Sequence, residues 1–242
     1  LINSIKIIMP SDDDTVEEVF NSFIQFMNFY IDDCKDNCTL ILTDYYLSLV
    51  DYVKKNQLSK FVDVIYKVFI ILLDNNIELA SCKQILHALK IIIHKIKDSP
   101  DHALLLVKVL KILKCISQLT FSKQEYTDLR MRKILKKVFE NNPIIIFYRI
   151  YLIEGENMNR DDLDITQEGV KLRGYDLNIV EDIFTKFLNI TNNMFDGDAT
   201  LNEIAFLSQI INKADVHKIL LRKNLPLPLR IEILKFFRMI FV

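Results

Sequence analysis

Turn residues are scarce in this chain, with four Gly and five Pro in 242 residues. A β-sheet protein reverses direction every few residues and needs many more of them. The predicted fold class is therefore all-α. Half of the residues are hydrophobic and 26% are charged, a balance that supplies a packed core and excludes a disordered chain. At this length a chain buries about 70% of the surface it exposes when unfolded, enough for one large domain or a short run of stacked units.

Charge and cysteine usage narrow the function classes. With 31 Lys and Arg against 32 Asp and Glu, the net charge is −1. No global field would concentrate the chain on nucleic acid or an anionic bilayer, so neither is an expected partner. The longest apolar run, Ile144 to Ile153, is broken by Arg149 and is far shorter than the ~20 residues of a membrane helix. Four cysteines without dense spacing read as free thiols of a reducing, cytosolic compartment. The chain opens on Leu1 and closes on Ile240, Phe241 and Val242 inside an apolar helical pattern, which suggests a piece of a longer protein.

Helical period runs through most segments. Thr15 and Glu18 have capping-box spacing ahead of Val19, Phe20, Phe23, Ile24 and Met27, predicting a helix over 15–32. Others are expected over 40–55, 58–73, 78–97, 101–119 and 124–140, followed by a short apolar helix after Pro143. In the fourth, Leu79, Cys82, Leu86, Leu89, Ile93 and Ile96 alternate steps of three and four, the spacing of a packing seam. Three of the four glycines and the cluster Asp161, Asp162 and Asp164 fall in 154–175, which reads as a long connection with one turn of structure. Helices are then expected over 176–194, 200–212, 214–223 and 228–241, the last entered through Pro226 and Pro228.

Pairing the helices gives units starting near 39, 78 and 124, spaced by about 39 and 46 residues, against the ~40 to 47 of armadillo and HEAT repeats. The expected architecture is an α-solenoid of stacked helix pairs over 1–153, a connecting loop over 154–175 and a helical continuation over 176–242. No motif text recurs between units, so an irregular helical bundle is the alternative.

Candidate chemistry is thin. The sequence holds no G-x-S-x-G elbow, no Gly-rich phosphate loop and no H-E-x-x-H, so no catalytic residue and no cofactor site is assigned and an enzyme is not expected. His87 and His94 lie two helical turns apart, about 10 Å, too far to share a metal; with His102 and His217 they read as partly exposed helical residues. Cys34 and Cys38, beside Asp32, Asp33 and Asp36, lack a second pair to complete a zinc site. Asn192 to Glu203 matches an EF-hand loop at position one (Asn192), five (Asp196), the bend (Gly197) and twelve (Glu203), but position three is Met194, a poor ligand for a hard cation. The alternative is a plain helix turn in which Thr200 and Glu203 form a capping box. No metal is assigned. The helix over 124–140 carries Lys123, Arg130, Arg132, Lys133, Lys136 and Lys137 against Glu125 and Asp128. Arg130, Arg132, Lys133, Lys136 and Lys137 are the candidate partner-binding residues, suited to an acidic protein segment or a phosphorylated ligand, with a solvated charged face as the alternative.

The segments LLLVKVLKILKCISQL (104–119), LRMRKILKKVF (129–139), QEGVKL (167–172), FDGDATLNEI (195–204) and FLSQII (206–211) resemble, in order and spacing, the RIH and RIH-associated regions of inositol trisphosphate receptors and ryanodine receptors. These are tetrameric intracellular calcium release channels. The likeness covers about half of the chain and rests mostly on Leu, Ile, Val and Lys at helical positions; it does not extend before about 78 or after about 212. It implies a cytosolic armadillo solenoid on the endoplasmic reticulum that couples ligand-binding domains to the pore, with other domains of the same chain and neighbouring subunits as partners. The signature residues of the pore and of the inositol phosphate pocket are absent. A freestanding armadillo or HEAT scaffold for protein segments is the other reading that the helical pattern allows.

Overall fold

Long stretches of apolar period fold as α-helices in the computed structural model. It describes residues 14–31, 34–40, 58–74, 77–98, 101–119, 131–154, 163–166, 169–195, 201–222 and 225–241. Among these the all-α class holds. The eleven helices are α1 (Asp14–Ile31), α2 (Lys35–Leu40), α3 (Leu58–Asp74), α4 (Leu79–Lys95), α5 (His102–Ser117), α6 (Met131–Phe139), α7 (Asn142–Ile146), α8 (Leu177–Phe195), α9 (Leu201–Ile210), α10 (Lys213–Leu220) and α11 (Leu227–Phe241). A 3-10 turn, Ile96–Asp98, ends α4, and a π-helical segment, Phe147–Glu154, continues α7. The helix expected over 40–55 and the first turns of the one expected over 124–140 lie outside the described residues.

One expectation is overturned. The connection over 154–175 carries a three-stranded antiparallel meander, β1 (Leu163–Thr166), β2 (Gly169–Leu172) and β3 (Tyr175–Asp176). Leu163 pairs with Leu172, Thr166 with Gly169, and Leu172 with Tyr175. The β2–β3 link is two residues long, and both Arg173 (φ 46°) and Gly174 (φ 84°) adopt positive φ, the backbone that lets a two-residue turn follow strand twist. Gly174 tolerates this without a Cβ, and Arg173 is carried by the hairpin.

The chain forms two compact units, 1–112 and 113–242, the division falling within α5. In the first, α3 packs against α1, α2 and α4. It buries Phe61, Val62, Ile65, Val68, Phe69 and Leu72. Lys60 Nζ donates to Asn21 Oδ1 at 2.8 Å and Lys67 Nζ to the Asn28 carbonyl at 3.2 Å, tying α3 to α1. Lys108 of α5 reaches Asp63 at 2.7 Å and Ser59 Oγ at 2.9 Å on α3.

In the second unit α8 packs most extensively against α11 and also meets α6, α7, β2, β3 and the π-helical segment. Its start is set locally: Asp176 Oδ1 accepts from the amides of Asn178 at 2.9 Å and Ile179 at 3.2 Å, an N-cap that satisfies donors no helical carbonyl can reach. Asn212 does the same for α10, accepting from the Ala214 amide at 3.1 Å. The core is aromatic. Phe184 and Phe187 of α8 meet Phe147 and Tyr148 of the π-helical segment and Phe139 of α6, with ring centroids 5.5 to 6.3 Å apart, the separations that offset and edge contacts prefer.

Candidate functional site

The basic helix buries its inner row, Met131, Ile134, Leu135 and Val138, as the period requires. Its charges divide. Lys133 and Lys136 are exposed and Lys137 is half-buried, while Arg130 and Lys123 lie outside the described residues. Arg132 points into the unit: Nη2 donates to Glu203 Oε1 at 3.2 Å, and the guanidinium lies 5.8 Å from the Phe195 ring centre. Arg132 thus has a structural partner inside the chain, while its side chain stays 35% exposed. The reason for the pairing is the Glu203 carboxylate, buried in the first turn of α9, where an ionised group requires a cation or several donors.

The same pair bears on the EF-hand-like stretch. Asn192 and Met194, at positions one and three, are inside α8 and buried. Glu203, at position twelve, faces Arg132. Positions five to nine lie outside the described residues. The Asn192 amide nitrogen donates to the Glu232 carboxylate at 2.7 Å and to the Glu232 carbonyl at 2.9 Å. The loop geometry that presents ligands to calcium therefore cannot form from these two end positions without unwinding α8.

Other titratable groups are dispersed. His87, His94 and His217 are exposed, whereas His102, expected to be partly exposed, is buried at the start of α5. Cys34 is exposed and Cys38 is buried one helical turn on. Burial pushes the Cys82 thiol up to about 12 and raises the Cys115 thiol against the opposing field of Lys114, so neither is a ready thiolate. Among the described residues no three His, Cys, Asp or Glu side chains gather as a metal site would require, and no helix is long and apolar enough to cross a membrane.

What the structure brings together lies on α8, α10 and α11. Glu232 of α11 is buried and accepts from Asn189 at 3.2 Å, Asn192 at 2.7 Å and Lys235 at 3.0 Å. Tyr148 donates to Asp215 of α10 at 2.7 Å; burial, then this bond, raises the phenol well above its ordinary value. Asp215 also lies 3.7 Å from Lys218, so each carboxylate of this region meets both an inner donor and a surface lysine. The outward surface of α11 is apolar: Leu227, Ile231, Leu234 and Phe241 are 69%, 43%, 50% and 49% exposed. Leu221, just past α10, is 69% exposed. Beside them Lys213, Lys218, Lys235 and Arg238 are exposed, and Lys213 sits 4.8 Å from the Phe241 ring centre.

The expectation of a helix over 228–241 did not identify this face. The signal was legible: LPLRIEILKFFRMIF carries one apolar row at Leu229, Ile233, Phe236 and Ile240, which is buried, and a second at Leu227, Ile231, Leu234 and Phe241. A helix apolar on two sides needs two neighbours. Comparison of the chain with family models, with curated proteins and with solved structures gives no match.

Proposed function

We propose that this chain is a helical protein-docking module, arranged as stacked helix pairs, whose working surface is the outward face of α10 and α11. The observation that supports the reading is the second apolar row of α11. Four large side chains exposed in one line, with cations around them, exceed the scattered single hydrophobics of an ordinary surface. Association buries such a row as folding buries the first, each fully covered Leu, Ile or Phe contributing about 1.5–3 kcal/mol.

The experiment is photo-crosslinking in the native cell with benzoylphenylalanine at Ile231. A protein adduct that is absent when the probe stands at Lys90, on the exposed side of α4, is expected. No protein adduct from Ile231 would end the docking reading.

A second reading follows from the likeness of 104–119, 129–139, 167–172, 195–204 and 206–211 to calcium release channels. On it the chain engages another domain of the same long protein or a neighbouring subunit at the endoplasmic reticulum, moving as a rigid element between ligand site and pore. Sequencing the full transcript tests it. Several apolar runs of ~20 residues, with a filter-like loop before the last, are expected, and a full-length protein without them removes the channel.

A further inference from the structure

The docking reading leaves open what the face receives, and the charges around it answer. We infer that α10 and α11 take an amphipathic helix of a partner protein whose apolar seam is flanked by Asp and Glu. This inference rests on the docking reading and adds the chemistry of the partner.

Three observations carry it. Leu227, Ile231, Leu234, Arg238 and Phe241 follow at steps of four, three, four and three, so at 3.6 residues per turn they lie in a strip only about 80° wide. That is the width of a seam between two helices rather than of a plane, and steps alternating three and four keep a straight seam facing a partner helix. Next, the exposed charged residues of α10 and α11 are all cations, Lys213, Lys218, Lys235 and Arg238; Lys218 lies 3.7 Å from Asp215 and Lys235 3.0 Å from Glu232, but these two acids are shared with Tyr148 and with Asn189 and Asn192, which leaves the surface with an excess of positive charge. Last, Arg222, between the two helices, holds its guanidinium 5.3 Å from the Tyr151 ring centre with Nη1 buried and without an acceptor. Its backbone carbonyl is occupied by Arg230 Nη2 at 3.0 Å. A guanidinium does not deprotonate, and its planar fork matches a carboxylate.

These features select among occupants. A second copy of the face would set cations against cations, which disfavours self-association. A flat anionic bilayer would meet the lysines but has no use for a narrow seam. An acidic helix satisfies all three features, its apolar row covering the strip, its flanking carboxylates meeting the lysines and Arg238, and one carboxylate reaching Arg222.

The test uses the full chain and a labelled synthetic helix of about three heptads with Leu and Ile along its seam and Glu on its flanks. Two comparison probes accompany it: the same helix with Lys for every Glu, and vesicles of phosphatidylcholine and phosphatidylserine. Fluorescence anisotropy should show saturable binding of the Glu helix at least about tenfold tighter than the Lys helix, weakening as salt rises. Leu234→Asp should abolish it. Arg222→Gln should weaken it about tenfold, with partial recovery in Arg222→Lys, which restores the charge but not the fork. Since Arg222 packs on Tyr151, the exposed variant Arg238→Glu provides an independent check and should weaken binding by a similar factor with unchanged circular dichroism. Equal binding of the Glu and Lys helices, or full binding by Leu234→Asp, overturns the inference. Vesicle binding without preference for the Glu helix overturns it in favour of a bilayer, and dimers in sedimentation without any probe overturn it in favour of a second copy. If both helices fail while the crosslinker at Ile231 still yields a protein adduct, docking stands and the acidic partner falls.

Discussion

Arg132 and Glu203 are the pair in which a surface-looking charge proves to belong to the interior. The Glu203 side chain is 7% exposed and that of Arg132 is 35%, with 3.2 Å between Nη2 and Oε1. Exposed pairs contribute about 0.2–1 kcal/mol, whereas stripping a buried ion of its partner costs about 3–5 kcal/mol. This pair stands between those limits, because solvent screens the arginine end and the carboxylate end is dry. The Phe195 contact adds about 0.5–1 kcal/mol. Arg132→Met should therefore destabilise the second unit by about 1.5–3 kcal/mol, and Glu203→Leu by less, since it removes the group that needs the cation. In a double-mutant cycle read by urea unfolding and circular dichroism at neutral pH, the coupling should reach about 1–2 kcal/mol and change little with added salt, a dry carboxylate being poorly screened. A coupling below about 0.3 kcal/mol, or one that salt abolishes, would refute the reasoning and return Arg132 to the solvated face.

Other expectations follow from the same coordinates. Phe184→Ala, which empties the centre of the aromatic cluster, should cost about 3–5 kcal/mol in urea unfolding, while Phe29→Ala on the 79% exposed side of α1 should change little. Glu181 is held above the usual carboxylate range by burial and then by Asp182. Its neutral form is favoured by the fold, so that contribution is present below the unfolded pKa and is lost as pH rises through the folded one. Glu181→Gln should therefore stabilise the chain at pH 7, with the difference closing below the carboxylate range. Cys82, pushed from 9.0 to about 12 by burial, should resist maleimide in the native chain while exposed Cys34 reacts at once. The same shift should erode stability as pH rises from about 9 towards 12, with the loss reduced in Cys82→Ala.

Much of the helical framework was legible from local physics alone. The few glycines and prolines, the capping oxygens of Asp176 and Asn212, and the apolar spacing of α3 and α6 act within a few residues, so they operate in any context that lets a helix form. The meander over 163–176 was not legible. Its strands are two to four residues long, too short for period two to stand out, and the turn depends on Arg173 tolerating a positive φ that Arg seldom adopts.

The candidate site divides along the same line. Composition and spacing determined by themselves that the chain folds as helices around an apolar core, and that basic residues collect near 130 and apolar ones along 227–241. Only the tertiary structure decided which of these are available. A side chain's charge is a local property, but its availability depends on what other helices place beside it. Arg132 is paired with Glu203, 71 residues away, and the acids of α10 and α11 are held by Tyr148, Asn189 and Asn192 as well as by Lys218 and Lys235. A face that is both apolar and cationic was left on α11, because burial and pairing are settled between segments distant in the chain.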